Sequence, residues 1–164
     1  MAIRVIRDLS GPLQQTIEIG KRRLTMEMST EETGQSPGPN PHDLYDAALG
    51  ACKALTVLWF AHRKGMPLKD MELSVTRDNS REHSGIYRLT VNLTLTGGLT
   101  QQARLQLLQA ALGCPVEKLM TEVETQITTS LAETRRPSDA AAVQARCVSD
   151  RSGASLMSDD QWRR

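Results

Sequence analysis

Aromatic side chains are scarce, making up 3% of the 164 residues: Trp59, Trp162, Tyr45, Tyr87 and Phe60. A chain so poor in flat rings offers no stacking platform for unpaired bases. Its core must instead be aliphatic and rich in methionine, of which it has seven. Surplus charge is missing too: 20 Lys and Arg stand against 19 Asp and Glu, a formal net charge of +1. No field of one sign exists to hold a phosphate backbone or an acidic bilayer surface, which excludes nucleic acid as a partner. The opening MAIRVIRDLSGPLQQ lacks the apolar run of a secretory signal, and no segment approaches the roughly 20 apolar residues of a membrane span. These absences predict a soluble, cytoplasmic chain with no membrane partner.

Cysteine is sparse as well. Three cysteines are too few for a disulfide scaffold, so each is either core filler or chemistry. No C-x-x-C or H-E-x-x-H pattern occurs, and His62 and His83 stand at no metal-ligand spacing, so no metal site is expected. Glycine-rich nucleotide loops are absent. GQSPG at 34–38 only mimics a serine nucleophile turn and has the wrong context for one.

What remains reads as an α+β domain. Residues 3–28 predict short antiparallel strands, with Ile17 and Ile19 alternating before a turn at Gly20 and Leu24, Met26 and Met28 after it. Residues 29–41 are loop-like. Asn40 as N-cap, Pro41 in the first helical position and Asp43 in the first turn predict a helix that runs to about Lys64, stopped by Gly65 and Pro67. Its middle, AALGACKALTVLWFA, is apolar on nearly all sides, which predicts protein around most of its circumference and raises the need for a second subunit. A hairpin follows, from residues 72–77 and the period-2 run Leu89, Val91, Leu93 and Leu95. Thr100 caps a second helix whose inward stripe reads as Leu105, Leu108 and Leu112, with Gly113 as its stop. Pro115 opens a short third helix, and residues 125–131 read as a closing strand. Strands and helices are segregated rather than alternating, the mark of α+β architecture. The polar stretch 133–164 reads as an extension to a single domain of 1–132.

Two cysteines sit where chemistry is conceivable. Cys52 shares the helix face of Leu44, Ala48, Leu55 and Leu58 or Trp59, where a buried inert thiol is the ordinary reading. Cys114 occupies the expected N-cap of the third helix, where free N–H groups and the dipole favour an anion and would promote thiolate. Capping alone explains it equally well. Cys147 lies in the extension with no partner nearby in sequence and reads as incidental. His42, in the first turn of the long helix, is either a solvated residue or an acid/base. The basic run Lys21, Arg22 and Arg23 is either solvated or the source of a guanidinium.

Taken together, PGPNPHDLYDAALGACKALTVLWFAHRKGMPL at 37–68, a long alternating strand and GCPVEKL at 113–119 resemble the OsmC/Ohr family, the osmotically inducible and organic-hydroperoxide-resistance proteins. The resemblance covers about residues 15–132. It implies an intertwined homodimer in which antiparallel strands wrap around central helices. It also implies a thiol peroxidase without metal or bound organic cofactor: Cys52 attacks a hydroperoxide and becomes a sulfenic acid, Cys114 condenses with it to a disulfide, and a lipoyl-like dithiol restores both thiols. The apolar wall around Cys52, with Leu55, Trp59 and Phe60, would favour a hydrophobic hydroperoxide. Departures from the family pattern are specific. The glutamate that commonly follows N-P is His42, with Asp43 next, and no arginine stands in register, the nearest being Lys21, Arg22 and Arg23. The histidine often found after C-P-V is Glu117. His42, Asp43 and Arg22 are therefore the candidates to assist Cys52. The second reading is an OsmC-like dimer that binds a hydrophobic or thiol-reactive ligand, or senses redox state, with little turnover; the third is a purely structural dimer.

Overall fold

In the computed structural model, which describes residues 2–27 and 38–132, the early alternation resolves into three short strands. β1 (Ile3–Arg7), β2 (Gln15–Ile19) and β3 (Arg22–Met26) form an antiparallel meander. Gly20, at φ +62°, makes the turn between β2 and β3, a conformation that glycine adopts without cost. Met28 and most of the predicted loop lie outside the described residues.

Helix α1 (Pro41–Arg63) begins as expected. Asn40 accepts a hydrogen bond from the Asp43 amide at 3.0 Å, and Asp43 accepts one from the Asn40 amide at 2.9 Å, so each side chain satisfies an amide the helix leaves free. At the other end Gly65, at φ +59°, lets its own amide reach the His62 carbonyl and that of Met66 reach the Ala61 carbonyl. This is a Schellman stop. β4 (Leu68–Asp78) is longer than predicted because a register shift near Lys69 extends its pairing back to Leu68. It pairs with β5 (Arg88–Gly97) across a loop that holds the 3-10 turn Glu82–Ser84. One hairpin face packs on α1 at Gly50, where a Cβ would stand 3.0 Å from a Val75 methyl.

α2 (Gln101–Leu112) is capped by Thr100, whose hydroxyl accepts the Ala103 amide at 3.1 Å, and α3 (Pro115–Thr121) follows. The core sits between α1 and α2 and is built on Val57, Ala61, Leu107 and Ala111, with Phe60, Met71, Leu93 and Leu95 against it. Fully burying Val57 and Leu107 stabilises the fold by about 1.5–3 kcal/mol each.

Four expectations need correction. The buried stripe of α2 is Leu107 and Ala111, while Leu105, Leu108 and Leu112 are exposed. The face of α2 that carries Leu107 and Ala111 lies against Val57 and Ala61 of α1, which leaves Leu105, Leu108 and Leu112 outside. Residues 125–131 form no strand and are exposed, because β propensity alone does not make a strand where no neighbouring strand among the described residues pairs with it. The circumference of α1 is only partly covered within one chain: Asp46, Leu49, Gly50, Lys53, Val57 and Ala61 are buried, whereas Tyr45, Leu55, Leu58 and Trp59 are exposed. Finally, α1 does have the length and apolarity of a membrane span, although its buried stripe carries the ion-paired Asp46 and Lys53.

The chain divides into compact units Met1–Glu124 and Thr125–Arg164. Of the second, residues 125–132 are described, as exposed chain without helix or strand.

Gly97, at φ +143°, lies with its Cα against the Pro67 carbonyl, so a side chain there is both strained and obstructed. Gly97→Ala is expected to destabilise the fold by about 1–3 kcal/mol, read as a lower denaturant midpoint with an unchanged slope.

Candidate functional site

Cys52 and Cys114 meet. Cys52 sits half-buried near the middle of α1, and its carbonyl accepts a hydrogen bond from Thr56 Oγ1 at 2.8 Å. Cys114 is fully buried in the turn that joins α2 to α3, near enough to Cys52 for the two thiols to affect each other's ionisation. Both are free thiols. Burial pushes the Cys114 thiol up first, and the neighbouring Cys52 thiol pushes it further, against a smaller downward pull from the amides of Glu117 and Val116. The sequence expectation that the helix start would promote a Cys114 thiolate is thus overturned. Two amides at the start of a short helix do not offset the loss of water around the sulfur.

Beside the thiols lies a buried ion pair. Lys53 donates to Glu117 Oε2 at 2.6 Å and to the Ala111 carbonyl at 3.0 Å. Glu117 is therefore neutralised by a cation rather than standing alone near Cys114. The pair borders an open groove of about 750 Å³ whose walls include Tyr45, Leu49, Leu112 and Met120.

A second polar cluster surrounds the start of α1. Arg77 on β4 pairs with Asp43 and, through Nε, with Asp46 at 2.9 Å. Tyr87 Oη donates to Asp46 at 2.9 Å, and His42 Nε2 lies 3.0 Å from Glu82 Oε1. The Asn40 amide, then Arg77, hold the Asp43 carboxyl below its ordinary range. The bond to Asp43 raises Arg77 in turn. Burial, then the bond to Asp46, pushes the Tyr87 phenol up to about 12.

The guanidinium that meets Asp43 is therefore Arg77 and not Arg22, which is exposed at the start of β3 and pairs with none of the described residues. His42 and Asp43 precede Cys52 by ten and nine residues, or about 13–15 Å along the axis at 1.5 Å per residue, so neither reaches its sulfur within one chain. Sequence reasoning missed Arg77, Asp46, Tyr87 and Lys53. A signal existed for three of them. Arg77 falls in the inward phase of Leu73 and Val75, and Asp46 and Lys53 fall on the helical stripe of Leu49 and Val57, where a charge implies a buried partner. Cys147 lies outside the described residues.

The arrangement of a helix cysteine against a second cysteine at a C-P-V turn agrees with a comparison of sequences: the family model for OsmC-like proteins matches residues 32–130. The chain belongs to the OsmC-like family. Solved structures agree on the fold. An OsmC-like protein from Mycoplasma pneumoniae has a TM-score of 0.61 at 15% identity, with 74% of this chain and 87% of that one covered. An organic hydroperoxide resistance protein OsmC from Legionella pneumophila has a TM-score of 0.52 at 23% identity, covering 74% and 90%. OhrB of Bacillus subtilis, an organic hydroperoxide resistance protein, has 0.51 at 22%, also covering 74% and 90%. None of the curated proteins compared with the sequence matches it.

The Tyr87 shift sets an alkaline limit on this OsmC-like fold. Because the folded phenol ionises near 12 and the unfolded one near 10, its contribution to stability is fully present below about pH 10 and is lost as pH rises toward 12. Tyr87→Phe is expected to abolish a late tyrosinate transition in absorbance at 295 nm and to flatten the fall in stability over that interval.

Proposed function

We propose that this protein is a thiol-dependent peroxidase that reduces organic hydroperoxides through a Cys52–Cys114 disulfide cycle. The observation that carries the reading is that a half-buried thiol on α1 and a fully buried one in the turn between α2 and α3 are neighbours in the fold. Cys52, the accessible member, attacks the terminal oxygen of the hydroperoxide as thiolate. The O–O bond breaks, an alcohol leaves, and the sulfur becomes a sulfenic acid. Cys114, which keeps its proton, then displaces hydroxide from that sulfur; the proton and hydroxide leave as water and the disulfide closes. A lipoyl-like dithiol of the cytoplasm reduces it by exchange and is itself oxidised.

A second copy of the chain completes the molecule in this reading. Leu55 is 67% exposed and Trp59 60% exposed, on the same helix as Cys52, while Ile3, Val5 and Ile6 are exposed on the first sheet. Apolar surface of this extent on several elements is what an obligate dimer buries. Covered in that way, Leu55 and Trp59 would form an apolar wall near Cys52 that suits a hydrophobic peroxide better than hydrogen peroxide. The cluster of His42, Asp43 and Arg77, remote from Cys52 in its own chain, would take any assisting role only by facing a site shared between subunits.

One equivalent of an organic hydroperoxide is expected to remove two free thiols per chain in the native protein and none in Cys52→Ser. Cys114→Ser should stop at a sulfenic acid that dimedone traps. Unchanged thiols in the native protein would refute peroxidase action and favour an OsmC-like binding or sensing protein. Sedimentation is expected to give the mass of a dimer, and Leu55→Glu to shift it toward the monomer.

A further inference from the structure

Lys53 follows Cys52 directly on α1, yet its side chain turns into the protein and is only 5% exposed. Both of its partners have a reason to be there. The Ala111 carbonyl belongs to the last turn of α2, and the residue four positions on, whose N–H would ordinarily close that helical bond, is Pro115, which has none. The Lys53 ammonium fills the vacant acceptor. Glu117 stands in the first turn of α3 and supplies the opposite charge that a buried ammonium requires. Cys114 lies midway, three residues after Ala111 and three before Glu117. Its own side chain makes no capping bond. The turn that carries Cys114 is thus pinned on both sides, and the pin is the residue next to Cys52.

We propose that Lys53 and Glu117 are positioning residues for closure of the Cys52–Cys114 disulfide, an inference that rests on the redox cycle proposed above. Closure requires the Cys114 sulfur to approach the oxidised Cys52 sulfur from behind the departing hydroxide, and the Cα atoms to stay within disulfide range. A turn built on Gly113 and a proline that donates no bond has little of its own to hold that geometry. The ion pair supplies it by joining α1 to the end of α2 and the start of α3 at once. Neither residue exchanges a proton or an electron in the step.

The test partitions the oxidised protein. After one equivalent of an organic hydroperoxide with dimedone present, Lys53→Met and Glu117→Gln are expected to raise the ratio of trapped sulfenic acid to disulfide about tenfold, as misplacement of a reacting group does. In a glutathione redox buffer, which needs no peroxide, the same variants are expected to lower the effective concentration of the pair about tenfold, equivalent to about 30 mV toward a more oxidising potential. If the two residues act as one unit, the double variant will be no worse than the more affected single one. Glu117 is partly exposed, so Glu117→Gln should keep the fold and decides the matter if Lys53→Met does not. A folded Glu117→Gln with an unchanged ratio and an unchanged redox equilibrium overturns the inference. A native chain inert to peroxide whose glutathione equilibrium still shifts in the variants supports the positioning role and sinks the peroxidase reading instead.

Discussion

An ammonium removed from water has to be surrounded by oxygen, and the burial of Lys53 makes that demand at the centre of this fold. Meeting it draws in the orphaned carbonyl of Ala111 and the carboxylate of Glu117. Those two residues belong to different helices, so a single side chain sets how α2 and α3 meet α1. Cys52 stands next to Lys53 in sequence, and Cys114 stands midway between Ala111 and Glu117. Hydrophobic packing of Val57, Ala61, Leu107 and Ala111 holds α1 and α2 together, but small side chains are tolerant of sliding. The directional bonds of Lys53 are not.

The other polar cluster does similar work at the N-terminal end of α1. Arg77 from β4 and Tyr87 at the entry to β5 converge on Asp43 and Asp46, one turn apart on the helix, and fasten the hairpin to its first two turns. Charges of both signs are satisfied within the cluster, and among the described residues no buried polar side-chain atom lacks a partner. Between the two clusters the helix shows two characters. One stripe is packed against the hairpin and α2, and the other, from Tyr45 to Trp59, presents apolar side chains to the outside with Cys52 near its edge. A helix that is apolar all round but covered on one side only has an unfinished environment.

Much of this was legible in the chain. Asn40, Pro41 and Asp43 announced the start of α1, and Gly65 its end, because caps are local chemistry between residues a few positions apart. Cys114 before Pro115 marked the start of α3 for the same reason. Where the reading failed, the cause was non-local. Leu105, Leu108 and Leu112 form as good a helical stripe as Leu107 and Ala111, and only the packing against α1 decides which face is inward. Residues 125–131 have the composition of a strand, yet a strand exists only where another accepts its hydrogen bonds. Arg77 interrupts an inward apolar phase and so carries a signal of its own, whereas Arg22 has only nearness to the family position in its favour.

The sequence alone therefore determined the family, the α+β class and the extents of the helices, since these depend on local capping, periodicity and motif order. The protonation of Cys114, the guanidinium that answers Asp43 and the clamp of Lys53 were decided only by the tertiary structure. The last two are interactions between residues 34 to 64 positions apart and the first is a loss of water on burial, so local sequence names no partner for them until the chain has folded.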